Sequence, residues 1–179
     1  ETIMSVKNNY FWTEKAALSD FIANGDMLEI TRIFSYEEAF GLRFADIAVR
    51  FADRTEATEI ELTVILDTLL DDRASLDEER QNRLYEELYA FYSQDCSNKA
   101  IIKQAIKQDK HYNALQIKFA NALTCHKAQG GDWQTVFIQQ GFFSDDMLDT
   151  EYFRWLYTAV TRAKEKLYLV NFAEDFFAD

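Results

Sequence analysis

The sequence predicts an α/β chain with a small antiparallel β-barrel or meander in its first half, and three observations carry that expectation. Apolar, β-branched runs from Met27 to Phe34, Leu42 to Phe51 and Thr58 to Leu66 follow the turn signal Asn24-Gly25-Asp26. The last third alternates strand-like and helix-like segments, the pattern of a layer built on a parallel sheet. A length of 179 residues, a hydrophobic fraction of 48% and an aromatic fraction of 15% suffice to bury a proper core without disulfide or metal staples.

Taken in order, Ile3-Met4-Ser5-Val6 is a short strand candidate ending at Asn8-Asn9-Tyr10, and Glu14 to Ala23 reads as a helix or wrapped loop. Of the three β-type runs, the second alternates imperfectly through Phe44, Ile47, Val49 and Phe51. The third alternates cleanly through Ile60, Leu62, Val64 and Leu66, which puts one face against a core. A charged helix is expected from Leu76 to Tyr92, with Leu84, Leu88 and Phe91 at helical spacing and Ser75 or Asp77 as caps. A Lys-rich helix should span Asn98 to Gln108. Leu115, Ile117 and Phe119 alternate again and lead into Leu123-Thr124-Cys125. Thr135 to Gln139 reads as a strand, Glu151 to Arg162 as a helix amphipathic through Phe153, Leu156, Tyr157 and Val160, and Lys166 to Val170 as a strand.

The net charge of -12 argues, taken whole, against nucleic acid, because Lys and Arg supply most of non-specific affinity for phosphates. Its distribution tempers the argument. Acids crowd between Asp53 and Asp95, whereas Lys99, Lys103, Lys107, Lys110, Lys118 and Lys127 follow with only Asp109 among the early ones, a local basic stripe. Cys96 and Cys125 sit in no CxxC spacing and point to a reducing, cytoplasmic compartment. No apolar run approaches the roughly 20 residues that span a bilayer, so no membrane partner is expected. The opening Glu-Thr-Ile-Met-Ser is no export signal and reads as the edge of a piece cut from a longer chain.

None of the glycines, Gly25, Gly41, Gly130, Gly131 and Gly141, heads a G-x-x-x-x-G-K-[ST] phosphate loop. Nor does an apolar strand end in an acidic pair suited to magnesium; Asp71-Asp72 lies beside an acidic helix and reads as a solvated face. Autonomous ATP hydrolysis is not expected. The carboxylates also lack a strand-borne D…E-x-K grouping, so no nuclease centre is visible, and His126, Cys125 and Asp132 lack metal-ligand spacing.

Two segments concentrate polar chemistry. Thr124-Cys125-His126-Lys127-Ala128-Gln129-Gly130-Gly131-Asp132-Trp133 is a Gly-containing turn between strand-like runs, rich in hydrogen-bonding side chains; its bland reading is a turn capped by Thr124. Arg154-Trp155-Leu156-Tyr157-Thr158-Ala159-Val160-Thr161-Arg162-Ala163-Lys164 places Tyr157, Thr161 and Lys164 on one helical flank and Arg162 nearer Arg154, Thr158 and Glu165; its bland reading is a surface cation at a helix end.

Together the runs TCHKAQGGDW and LYTAVTRAK resemble motifs V and VI of superfamily 1 DNA helicases, close to the RecD-like and UvrD-like C-terminal regions, as in the helicase subunit of exodeoxyribonuclease V. The likeness extends to Asn8-Asn9-Tyr10 and Asn24-Gly25-Asp26, while Thr68 to Lys110 resembles nothing in the common core. The resemblance implies a RecA-like, P-loop-NTPase-type second motor domain lacking Walker A, at residues 1–26 and 114–179, with an SH3-like insertion and helical excursion at 27–113. It implies an arginine finger at Arg162. Gln129 and Gly130 would line the nucleotide cleft, Asp132 would take the ribose carboxylate's place although the family more often has Glu, and Thr124, His126 and Lys127 would touch the DNA backbone. ATP and Mg²⁺ would serve the full-length parent and not the isolated chain. Its partners would be the missing N-terminal motor domain and, weakly, single-stranded DNA. The alternative is a non-catalytic SH3-like module that binds a protein partner or single-stranded DNA without ATP. The acidic Leu76–Tyr92 helix and the aromatics Phe142, Phe143, Phe176 and Phe177 would suit protein contacts.

Overall fold

The computed structural model describes residues 1–16, 21–52, 58–73, 75–144 and 147–177. The chain forms two compact units, Glu1–Asn121 and Ala122–Asp179.

The first unit is a closed five-stranded barrel of β1 (Thr2–Ser5), β2 (Met27–Ala39), β3 (Leu42–Phe51), β4 (Ile60–Ile65) and β5 (Leu115–Phe119). The three central runs make an antiparallel meander, which alone would leave two bare edges. Both edges are covered. β1 pairs antiparallel with β2 through Ile3↔Leu28 and with β5 through Ile3↔Phe119, and β5 meets β4 in parallel through Val64↔Leu115 and Ile65↔Gln116. The barrel therefore takes in strands at residues 2–5 and 115–119, which the family resemblance groups with the last third. The alternation of Leu115 and Ile117 fits a barrel stave as well as a sheet strand, so pattern alone does not assign it.

Inside the barrel, Ile3, Leu28, Ile47, Val49, Ile60, Leu62, Leu115 and Ile117 are buried together with Trp12 from α1 (Phe11–Lys15). β2 runs to Ala39, beyond the expected end at Phe34, because Ser35 to Glu38 still pair with β3 although their side chains are exposed. The hairpin tip places Phe40 and Gly41 at φ of 52° and 69° between the paired Ala39 and Leu42. Two positive φ values in a two-residue loop match the twist of the flanking strands. Gly41 adopts that conformation freely; Phe40 does so while packing edge-on to Phe91 and His111.

After β4 the chain turns through α2 (Asp67–Leu70) into α3 (Glu78–Ser93) and α4 (Lys99–Gln108). Asp77 caps α3 by accepting from the Arg80 N–H at 2.8 Å, and Asn98 caps α4 by accepting from Ala100. Leu84 and Leu88 of α3 and Ile102 and Ile106 of α4 form a second core with Leu42, Phe44, Ile65 and Leu76; Phe91, expected on that face, is half exposed. Buried Thr68 ties this excursion to the barrel, its Oγ1 bonding the Ile65 and Ile117 carbonyls and receiving the Ile117 N–H. Of the expected basic stripe, Lys99, Lys103 and Lys107 are exposed on α4, whereas Lys110 pairs with Glu37 and Asp46 and Lys118 donates to the Asp71 carbonyl.

The second unit is a β-α-β element: β6 (Trp133–Gln139), α5 (Thr150–Val160) and β7 (Ala163–Val170), followed by a 3₁₀ turn at Glu174–Phe177. β6 and β7 pair in parallel through Val136↔Leu167 and Ile138↔Leu169, as the alternating pattern of the last third predicts. Asp149 caps α5. The helix stops at Val160 with Thr161 as its C-cap, so Lys164 and Glu165 lie on β7 and share no helical flank with Tyr157 or Thr158. Positions 17–20 of the Glu14–Ala23 segment and 53–57 at the start of the acidic run lie outside the described residues. No helix among the described residues is long and apolar enough to cross a membrane.

Candidate functional site

The Gly-containing run Thr124 to Asp132 folds as consecutive turns leading into β6. Thr124 caps its start: the hydroxyl oxygen accepts from the Lys127 N–H at 3.4 Å, and the carbonyl accepts from Ala128 at 3.1 Å. The Gln129 N–H donates to the His126 carbonyl and the Gly131 N–H to Ala128, closing the next two turns. Gly130, at φ of 85°, holds the left-handed residue of this run. Gly131 is required for a different reason. A Cβ there would stand 2.6 Å from the Trp133 ring.

Arg162 follows the C-cap of α5, and this position brings the two polar segments together. Its Nε donates to the Thr158 carbonyl at 3.0 Å, Nη1 to the Gly131 carbonyl at 2.9 Å and Nη2 to Thr161 Oγ1 at 3.1 Å. The Arg162 carbonyl in turn accepts from the Trp133 N–H at 2.9 Å, and Cys125 Sγ contacts the Trp155 carbonyl at 3.4 Å. Burial pushes the Cys125 thiol up, with the Arg162 charge opposing. All three oxygens that receive Arg162 are neutral. Among the described residues no carboxylate pairs with it, so the cation is half-buried without local neutralisation.

The other expected site residues distribute unevenly. Asp132 is exposed and pairs with Lys164 Nζ at 2.8 Å, so its carboxylate is already engaged. Thr124, His126, Gln129 and Gly130 are exposed and Lys127 is half-buried; they form the outer part of the turn, while Arg162 meets its end at Gly131. Among the described residues no group of three His, Cys, Asp or Glu side chains could hold a metal ion.

Two features escaped sequence reasoning. Lys164 reaches Asp132 because β7 begins at Ala163, and a helix drawn through Lys164 conceals that pairing. Gln140, at the carboxyl end of β6, is buried and donates from Nε2 to the Tyr152 hydroxyl at 2.7 Å, leaving Oε1 without a partner among the described residues. A lone Gln after a strand carries no sequence signal for burial. Of the four aromatics suited to protein contacts, Phe142 and Phe177 are exposed, whereas Phe143 and Phe176 pack on each other and on Tyr152.

Residues 119–170 match the family model of the UvrD-like helicase C-terminal domain. Both polar segments, and with them Arg162, fall inside that match. No curated protein matches the chain.

Proposed function

We propose that Ala122–Asp179 is the carboxyl-terminal part of a RecA-like second motor domain in an ATP-dependent DNA helicase of the RecD-like kind, the helicase component of an exodeoxyribonuclease in its finer relation, working in the cytoplasm. The observation that carries this reading is Arg162: a half-buried guanidinium held by neutral oxygens, with no carboxylate partner among the described residues, where the TCHKAQGGDW turn meets the LYTAVTRAK segment. Its charge is left for an anion, and the planar fork suits two phosphate oxygens. The chain holds no phosphate loop, so another domain of the parent enzyme supplies the cradle and the magnesium carboxylates.

ATP with Mg²⁺ supplies the phosphoryl chemistry when bound in that parent. Arg162 serves there as the arginine finger. Gln129 and Gly130 line the nucleotide side of the turn. Asp132 serves the ribose by leaving Lys164. The exposed Thr124 and His126, together with Lys127, contact the backbone of single-stranded DNA, positioning the strand without reading sequence. The closed barrel at residues 1–121 is read as the SH3-like element, with α3 and α4 as its helical excursion. Because that barrel forms a compact unit of its own, it also favours a second reading: an SH3-like module that binds a protein or single-stranded DNA without ATP.

The test is DNA-stimulated ATPase of the parent enzyme with Arg162→Ala and Arg162→Lys. Arginine fingers contribute on the order of 10³ to 10⁵ in rate. Alanine should cut turnover by about that factor, and lysine should rescue poorly, with thermal melting as the folding control. Near-normal turnover in the alanine variant would return Arg162 to a structural staple between Thr158 and Gly131 and leave the second reading standing.

A further inference from the structure

The first unit contains a cavity of about 490 Å³ between the segment after β1, helix α3 and the stretch leading into β5. That volume is in the range of small-ligand clefts. Its floor is apolar and buried, made by Ile65, Leu84 and Leu115. Its walls are polar in a particular way. Lys7, Asn8, Asn82, Tyr85, Tyr112 and Gln116 line it, and among the described residues no carboxylate does, in a protein whose net charge is -12.

Much of this polar surface remains available. Lys7 Nζ spends one donor on Gln81 Oε1 at 3.1 Å and keeps the others. Gln116 uses its Oε1 to receive the Leu76 N–H and Asn8 its Oδ1 to receive the Asn24 N–H, which leaves both amide nitrogens as donors. Among the described residues no group hydrogen-bonds the Asn82 amide or the Tyr85 and Tyr112 hydroxyls. Tyr112 is 45% exposed, and its ring centroid lies 6.2 Å from that of Tyr85 in an edge-to-face arrangement at 63°.

We infer that this cavity binds a nucleobase together with its adjoining phosphate. Three properties select that class. An aromatic face stacks any base, amide side chains offer the paired donor and acceptor that match base edges, and a lysine in a carboxylate-free rim suits a phosphate. A neutral sugar would use the stacking face and amides but gain nothing from Lys7. A peptide added as a strand would need a free edge, which the closed barrel does not present, and a proline-rich peptide would use the tyrosines but gain nothing from Lys7. The nucleotide comes either from a single strand or from the free pool. This site is separate in sequence from the Thr124–Lys127 turn and does not rest on the arginine-finger reading.

The experiment is equilibrium binding by the full chain of fluorescein-labelled oligo-dT and, in a separate arm, of dTMP by calorimetry. The variants are Tyr112→Ala, Lys7→Gln and, in the second unit, Thr124→Ala with Lys127→Ala. Tyr112 is exposed, so its truncation spares the core, and circular dichroism checks the fold of each variant. Tyr112→Ala should weaken binding roughly 5- to 150-fold, the loss of one stacked base. Lys7→Gln should weaken it and flatten its salt dependence. Binding of oligo-dT alone assigns the cavity to a single strand, and binding of dTMP as well assigns it to a nucleotide of either source. Failure of both probes to bind would overturn the inference. So would binding that the Thr124/Lys127 variant abolishes and the Tyr112 and Lys7 variants leave unchanged. The helicase reading fails or stands separately, on the Arg162 ATPase.

Discussion

The two units bury different things. In Glu1–Asn121 two apolar clusters fill the barrel and the space beneath α3 and α4, and large side chains such as Phe44, Leu28, Leu88 and Ile106 are almost wholly removed from water. Among the described residues of Ala122–Asp179 the buried apolar ones are Ile138 and Ala159, while Phe137, Tyr168, Leu167 and Val170 remain exposed on the sheet. What places the turn and Arg162 there is hydrogen bonding. The first unit is specified by its core, and the second has its polar groups fixed while its apolar surface is left uncovered. That division suits the proposed roles, since catalytic groups must be held in place by contacts that also leave them accessible.

The largest expected effect tests this difference directly. In chemical denaturation followed at separate probes, the second unit should unfold first. Trp12 is buried in the barrel core, whereas Trp133 and Trp155 report on the second unit. Leu28→Ala should cost the first unit about 2–5 kcal/mol, as a large-to-small change in a closed core does, and move only the Trp12 transition. Coincident transitions for all three tryptophans would break the comparison, because a chain of two unequal units should not unfold as one.

A middle-sized effect lies at Thr68, the polar joint between barrel and helices. Its hydroxyl is buried and serves the Ile65 and Ile117 carbonyls and the Ile117 N–H. Thr68→Val keeps the shape but strands buried backbone groups, each costing about 1–3 kcal/mol when unpaired. A loss of stability on that scale in the first unit, with the second unit's transition unmoved, is the expected result. An unchanged Trp12 midpoint would show that the joint is redundant with the second apolar cluster.

The same contrast explains what could be read from the sequence. Strands and helices with periodic apolar residues were legible nearly to their ends: Leu42–Phe51, the Asp77 and Asn98 helix starts and Leu115–Phe119 all follow from alternation or capping chemistry. What pattern could not supply was partnership. Nothing in Thr2–Ser5 says that it pairs with β2 and β5, because strand pairing depends on contacts distant in sequence. Likewise, the exposed half of β2 was invisible because Tyr36, Glu37 and Glu38 have no apolar period. At the candidate site, motif likeness marked Arg162 and the turn. That the guanidinium bonds the Gly131 carbonyl is a three-dimensional fact that the residue types leave open.

The smallest expected effect concerns His111, where the hairpin tip meets the helical excursion. The ring is buried between Phe40 and Phe44, with Nε2 3.1 Å from Glu37 Oε2. Nδ1 stands 3.3 Å from Asp109 Oδ1, a charge contact rather than an aligned hydrogen bond. Lys110 joins the cluster by pairing with Glu37 and Asp46, each at 3.0 Å. Burial pulls the His111 pKa down, but the charge of Asp109 and the hydrogen bond and charge of Glu37 outweigh it and the net displacement is upward from the ordinary 6.5. Folding therefore favours the protonated ring. The stability this contributes is complete below pH 6.5 and disappears as pH rises through the raised folded value. Asp109 acts at the opposite end. Burial raises it, yet the adjacent His111 ring and hydrogen bonds from the Tyr92 hydroxyl and the His111 and Tyr112 N–H groups bring it to about 2, so its contribution is present above 3.8 and is lost only as pH falls through about 2. Between mildly acidic and mildly alkaline buffer, melting of the first unit followed at Trp12 should shift downward, and His111→Gln should remove that slope while melting lower than wild type in the acidic range. The second unit holds neither His111 nor its two carboxylates, so its transition should not follow the same slope. An identical slope in the glutamine variant would move the pH dependence to other groups and leave the hairpin tip held by the apolar contacts of Phe40 and Phe44 alone.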